Sequence, residues 1–185
     1  MIKNHRSKLG KFLYSLEMRW VKFLSEHMWL WWVLNLTWGI LYSFIGLLID
    51  LFVCIFILPR DKNSVSFNYR NKVRCHQFGN NWGGLEGVFF IFVSNGMGKD
   101  YEEEVRMHEL GHSFQNALFG PLFIFLIAIP SAIRYWYQVI KEKKGYSFAN
   151  DWYDNAWFEG SATDGGKFYV NKMRKLKHIG GTNNE

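Results

Sequence analysis

The feature that most limits how this chain can fold is an apolar run from Met28 to Leu58, strongly interrupted only by Asn35 and Asp50. Lipid offers no partner to backbone amides, so such a run crosses a bilayer as a helix of roughly 20 residues. One crossing fits. A cleavable leader does not, because the run is too long and starts too far from the N-terminus. Trp29, Trp31, Trp32 and Trp38 read as an interfacial belt, which places the apolar core near residues 40–58. That placement leaves Asp50 in mid-membrane at a cost of roughly 2.5–3.5 kcal/mol, so Asp50 is expected to face protein or water. A core over residues 28–49 is the alternative; it moves Asp50 to the boundary and buries the tryptophans.

Upstream, Leu9, Phe12, Leu13, Leu16, Trp20, Phe23 and Leu24 recur at helical spacing, with Lys8, Lys11, Arg19 and Lys22 between them. This predicts an amphipathic helix that lies on a membrane surface or packs on the protein's own core. Lys3 and Arg6 precede the run, and Arg60, Lys62, Arg70, Lys72 and Arg74 follow it, so charge sets no orientation. The chain divides at residue 58 into an anchor, 1–58, and a second unit, 59–185. In the second unit Val88–Val93 is a strand candidate closed by Ser94, Asn95 and Gly96. Asp100 and Glu103 are spaced as a capping box for a helix reaching about Phe119, where Gly120-Pro121 ends it. Glu102–Glu104 read as a solvated first turn.

Inside that helix lies His108-Glu109-Leu110-Gly111-His112. Residues i and i+4 share a helix face, so two imidazoles can grip one cation, with Glu109 placed to take a proton from water. Gln115 continues the same face toward ligands or substrate. Catalytic zinc takes three protein ligands. A histidine in the H-E-x-x-H-x-x-G-x-x-H pattern would fall at Leu118, so the third ligand is expected from a later segment. Glu159 is the first candidate, beside the small residues Gly160, Ser161 and Ala162 that permit close helix approach. Asp154 comes next and His76 third. Asp164 or Thr163 is placed to accept from a ligand histidine's second nitrogen. Tyr153 or Tyr169 could supply an oxyanion donor.

On these residues the chain resembles the gluzincin-like zinc metallopeptidases, most closely their small membrane-associated forms. The resemblance rests on the His108–His112 motif with Gln115, and extends through Gly120-Pro121-Leu122, Ile129-Pro130-Ser131 and Trp157-Phe158-Glu159. It implies an α+β, mainly helical fold with the motif helix beside a short strand, the position that Val88–Val93 matches, where an extended peptide can join the sheet edge and be aligned by its backbone. It also implies Zn2+ at His108, His112 and Glu159, with Glu109 as general base. The family's acid four residues after the ligand glutamate is replaced here by Thr163.

A further limit is topological. The apolar segment from Leu118 to Ile133 separates the two ligand segments, and a single crossing there would put His112 and Glu159 on opposite sides of a bilayer. It is also short, about 16 residues against the roughly 20 required. A re-entrant or shallow hairpin is therefore expected, broken at Pro130. The formal charge of +6 comes with no recognisable nucleic-acid module, so the basic stretch from Lys167 to Lys177 suggests solvent or lipid headgroups as its surroundings. Two cysteines in 185 residues exclude a disulfide scaffold. The expected function is membrane-anchored peptide hydrolysis, with peptide or protein substrates and membrane lipids as partners. A zinc-stabilised membrane protein without turnover, or a structural membrane-interaction protein, is the alternative.

Overall fold

A computed structural model of the chain describes residues 7–70, 72–149 and 152–181; Lys3, Arg6 and Asp151 lie outside them. Helix α1, Lys8–Glu26, starts at Ser7, whose hydroxyl accepts from the Gly10 amide at 3.1 Å. It buries Val21, Leu24 and Glu17 against the protein and leaves Leu9, Phe12, Leu16 and Phe23 exposed. One stripe thus packs inward while a second apolar stripe stays open.

Helix α2, Met28–Leu36, buries Trp31 and Asn35. Asn35 interrupts the apolar run because it works inside the fold: its amide donates to Trp31 O at 3.0 Å, and its carbonyl accepts from Asn116 at 2.7 Å. Trp31 is fully buried against Phe89 and Phe114 and drops out of the expected aromatic belt, whereas Trp29, Trp32 and Trp38 are exposed. Helix α3, Ile40–Phe52, continues through a π-helical turn, Val53–Ile57. Residues Ile40–Ile57 form a helix long and apolar enough to cross a membrane, only 17% of it buried. Asp50 turns inward, with Oδ1 2.8 Å from His76 Nε2.

Four strands follow: β1, Val65–Tyr69; β2, Val73–Asn80; β3, Gly84–Glu86; and β4, Phe90–Asn95. Their order is β1-β2-β4-β3, antiparallel at β1/β2 and β4/β3 and parallel at β2/β4. The strand expected over Val88–Val93 is shifted. Val88 sits at φ 64° in a tight turn, its amide bound to Glu86 Oε1 at 2.5 Å, so pairing starts at Phe90 and runs through Ser94 and Asn95. This strand is also interior. The edges of the sheet are β1 and β3, and the three residues of β3 are too few to register as a strand in sequence.

Helix α4, Lys99–Phe119, has Gly98 at its N-cap, and the Asp100/Glu103 capping box does not form. Two of the three acids of the expected solvated turn, Glu102 and Glu103, are recruited elsewhere. Glu102 Oε1 accepts from the Gly96 amide at 3.1 Å, and Glu103 binds Arg70 at 2.5 Å, Arg106 at 3.2 Å and Arg174 at 3.0 Å. Only Glu104 is exposed as expected, meeting Lys167 at 3.3 Å.

A 3-10 turn, Gly120–Leu122, and a π-helical turn, Ile124–Ala128, lead into α5, Ile129–Lys143. The path bends by 117° between the segment ending at Leu122 and the one beginning at Ile124. Gly120, at φ 54°, turns the chain where the Trp38 indole leaves no room for a side chain. Helix α6, Trp157–Gly181, then packs along α4 and α1. Among the described residues the result is an α+β, mostly helical fold with a small mixed sheet and one exposed helix long and apolar enough to cross a membrane. The helices before residue 58 share this core: Val21, Leu24 and Trp31 pack in one cluster with Leu110, Phe114 and Tyr169.

Candidate metal centre

Helix α4 places His108 and His112 on one face, one turn apart, with rings edge to face at 4.7 Å. Helix α6 brings Glu159 to them across a crossing built on small residues. A Cβ on Gly111 would lie 2.0 Å from Ala162 O, and one on Gly166 would lie 1.7 Å from Met107 O. Any larger residue at either position would push the backbones apart. The small residues expected to matter were Gly160, Ser161 and Ala162; the contacts are made by Gly111, Ala162 and Gly166.

At the crossing, Glu159 Oε2 lies 3.2 Å from His108 Nε2 and 3.4 Å from His112 Nε2, and the two Nε2 atoms are 3.1 Å apart. The outer ring nitrogens determine what those inner atoms are. Thr163 Oγ1 donates to Asp154 Oδ1 at 2.9 Å, so its own lone pair faces His108 Nδ1 at 2.8 Å. Gln115 Nε2 donates to Glu17 at 2.8 Å and to Phe158 O at 2.7 Å, which turns Oε1 toward His112 Nδ1 at 2.6 Å. Both imidazoles must therefore carry their proton on Nδ1. Their bare Nε2 lone pairs converge with Glu159, which is 0% exposed and whose two oxygens have no hydrogen-bond partner.

Three acceptors pressed together without a proton among them repel one another unless a cation sits between them. The donor set, two imidazoles and a carboxylate within 4.8 Å of one another, is one that a metal ion accepts. This buried group could thus hold a metal ion, and the residues present fit one. Glu109 is buried beside the pair, and that burial pushes it up to about 7, with the Glu159 charge acting in the same direction.

These residues line a cleft of about 270 Å³ whose walls include Tyr42, Gly84, Glu86, Tyr135 and Tyr153. The β3 edge comes close: a Cβ on Gly84 would lie 2.5 Å from Glu109 Oε1. Tyr153 stands over His108 with its hydroxyl 3.1 Å from Ser131 Oγ. Arg134 on α5 steadies that loop by donating to Tyr153 O at 3.1 Å and stacking 3.8 Å above the Trp152 ring.

Of the residues expected here from sequence, His108, Glu109, His112, Gln115, Tyr153, Glu159 and Thr163 meet in one place. Tyr169 does not; it is fully buried against Phe114, away from the cleft. Asp164 accepts from the Tyr14 hydroxyl instead of a histidine. Asp154 supports Thr163 and is not among the three converging groups, and His76 pairs with Asp50 elsewhere. Two further residues belong to the site. Glu17, 1% exposed, accepts from Gln115 and Ser161 at the rear of the site; an acid on the inner stripe of an otherwise basic helix was the available signal. Glu86, 3% exposed, lines the cleft from β3 and is driven well up by burial and by Glu109; nothing local in the sequence distinguished it. Compared with protein-family models, with curated proteins and with solved structures, the chain matches none.

Proposed function

We propose that this chain is a membrane-anchored, zinc-dependent metallopeptidase-like hydrolase of the gluzincin-like kind. The observation that carries the reading is the convergence of two bare Nε2 atoms and an unpartnered carboxylate beside a buried glutamate. His108, His112 and Glu159 hold the zinc, which when bound lowers the pKa of water and polarises a carbonyl. Glu109, raised toward neutrality, takes a proton from water at its carboxylate and returns one to the departing amine. Thr163 and Gln115 keep both imidazoles in the ligating tautomer. Tyr153 is the hydroxyl placed to stabilise developing negative charge.

Strand β3 supports a peptide as substrate. Its unpaired edge borders Glu109, and an extended chain added there would pass its carbonyls across the metal position. This corrects the expectation that the strand over Val88–Val93 would align substrate. The exposed apolar helix Ile40–Ile57 supports membrane lipids as its surroundings. Folded full-length protein in detergent should contain zinc and cleave peptides. Glu109→Gln should keep wild-type zinc content with cleavage reduced at least about 100-fold, the scale of lost general-base catalysis. Undiminished cleavage in that variant would remove Glu109 from the chemistry.

A further inference from the structure

We infer that Asp50, Cys54 and His76 form a second transition-metal site, which takes a zinc-class divalent ion and staples the apolar helix to the sheet. Their ligand atoms lie within 4.8 Å of one another. Asp50 on α3 and Cys54 in the π-helical turn that continues it are one turn apart, with Sγ 4.0 Å from Asp50 Oδ1. His76 enters from β2 and is 2% exposed.

The second observation is the state of the imidazole. Asp50 Oδ1 is only 2.8 Å from Nε2, yet Nε2 has no hydrogen-bond partner, because the oxygen lies off the line along which a ring N–H donates. Ser66 Oγ sits 2.7 Å from Nδ1 and holds the other ring nitrogen, as ligand histidines are usually held. Phe92 stacks on the ring and fixes its plane. The His108/His112/Glu159 group shows the same pattern of close approach without a hydrogen bond and with the outer nitrogen occupied.

An Asp–His hydrogen bond alone would account for a carboxylate on an apolar helix, but it would be in line; the Cys54 thiol, which donates to the same Asp50 oxygen, adds a third ligand atom to the group. A nitrogen, an oxygen and a sulfur together suit zinc and its neighbours, and discriminate against calcium and magnesium. The thiol binds as thiolate, its proton passing to solvent as the ion enters. Two anions and one neutral imidazole then neutralise a divalent ion, which removes the charge otherwise carried by Asp50 on α3. Three ligands leave a fourth position for water.

Cobalt(II) titration of full-length protein in detergent micelles tests this, since a thiolate ligand adds an intense near-ultraviolet charge-transfer band that histidine and carboxylate ligands do not. Wild type should develop the band. Cys54→Ser should lose it and bind about one equivalent less cobalt, as expected for one lost ligand set. Cys54 is exposed, so this variant should fold normally. His76→Ala should lose the same equivalent, and His108→Ala should keep the band, which separates this site from the first. Absence of the band from wild type, its persistence in Cys54→Ser, or equal cobalt binding by the two proteins would overturn the inference.

Discussion

Thr163 stands where a carboxylate would give His108 a stronger acceptor, and Asp154 restores the charge one bond further out. A hydroxyl between imidazole and carboxylate works only if it donates outward and accepts inward, which ties ring orientation to both neighbours. Thr163→Val keeps the shape and removes both bonds. It should weaken zinc binding about 10- to 100-fold, while Thr163→Ser stays near wild type; competition with a chromophoric chelator measures both. Glu103 is the other residue whose surroundings govern its ionisation. Burial raises it, but hydrogen bonds and charge from Arg70 and Arg106 win and hold it below the usual range. A depressed carboxyl contributes stability above its unfolded pKa and loses that contribution as pH falls through the folded value. Melting curves should therefore show Glu103→Gln less stable than wild type at neutral pH, with the gap closing below about pH 4 as both side chains become uncharged. A gap unchanged at low pH would mean the arginines contribute through packing alone.

Between elements, the decisive contact is α4 on α6. Neither helix carries the complete ligand set, so the metal group depends on how closely the two axes approach. Gly111→Ala puts a methyl against Ala162 O and should destabilise the fold by about 1–3 kcal/mol, with zinc affinity falling because Glu159 retreats from the histidines. Gly165→Ala is a milder test, since its nearest neighbour is the Val21 side chain at 3.1 Å, which can shift. Equilibrium denaturation and zinc titration of both variants would separate the crossing from general helix stability. The β3 edge, where we propose that substrate adds, is not the strand that sequence patterning points to. Val88–Val93 has the composition of a buried strand and lies at the sheet's centre; a solvent-side edge of three residues carries no apolar run to detect.

At the scale of the whole molecule, the chain ahead of residue 58 is more than a tether. Helix α1 brings Glu17 to Gln115 and Ser161, and α2 brings Asn35 to Asn116. Removal of residues 1–27 leaves every proposed zinc ligand in place, yet it should abolish stable zinc binding, because α4 and α6 would expose the core now covered by Val21 and Leu24. Metal analysis of the truncated protein in detergent checks this; wild-type zinc content would show the first helix to be dispensable. Phe12 on α1, Phe44 and Leu48 on α3, Phe125 in the Ile124–Ala128 turn and Ile133 on α5 are all exposed large apolar side chains.

Local spacing was enough to recover the motif helix, the i, i+4 histidine pair, the apolar helix after Trp38, the inward-facing role of Asp50 and the break after Phe119. Each depends on residues within a few turns of one another. Glu159 was legible as a candidate because small residues and the ligand arithmetic pointed to it. Its distance from the imidazoles, the β3 edge, Glu17 and the Asp50–His76 contact were decided by tertiary structure. They join segments up to 144 residues apart, as in Ser161 with Glu17. No local periodicity encodes such pairings, since they follow from which faces pack and how closely the backbones may come.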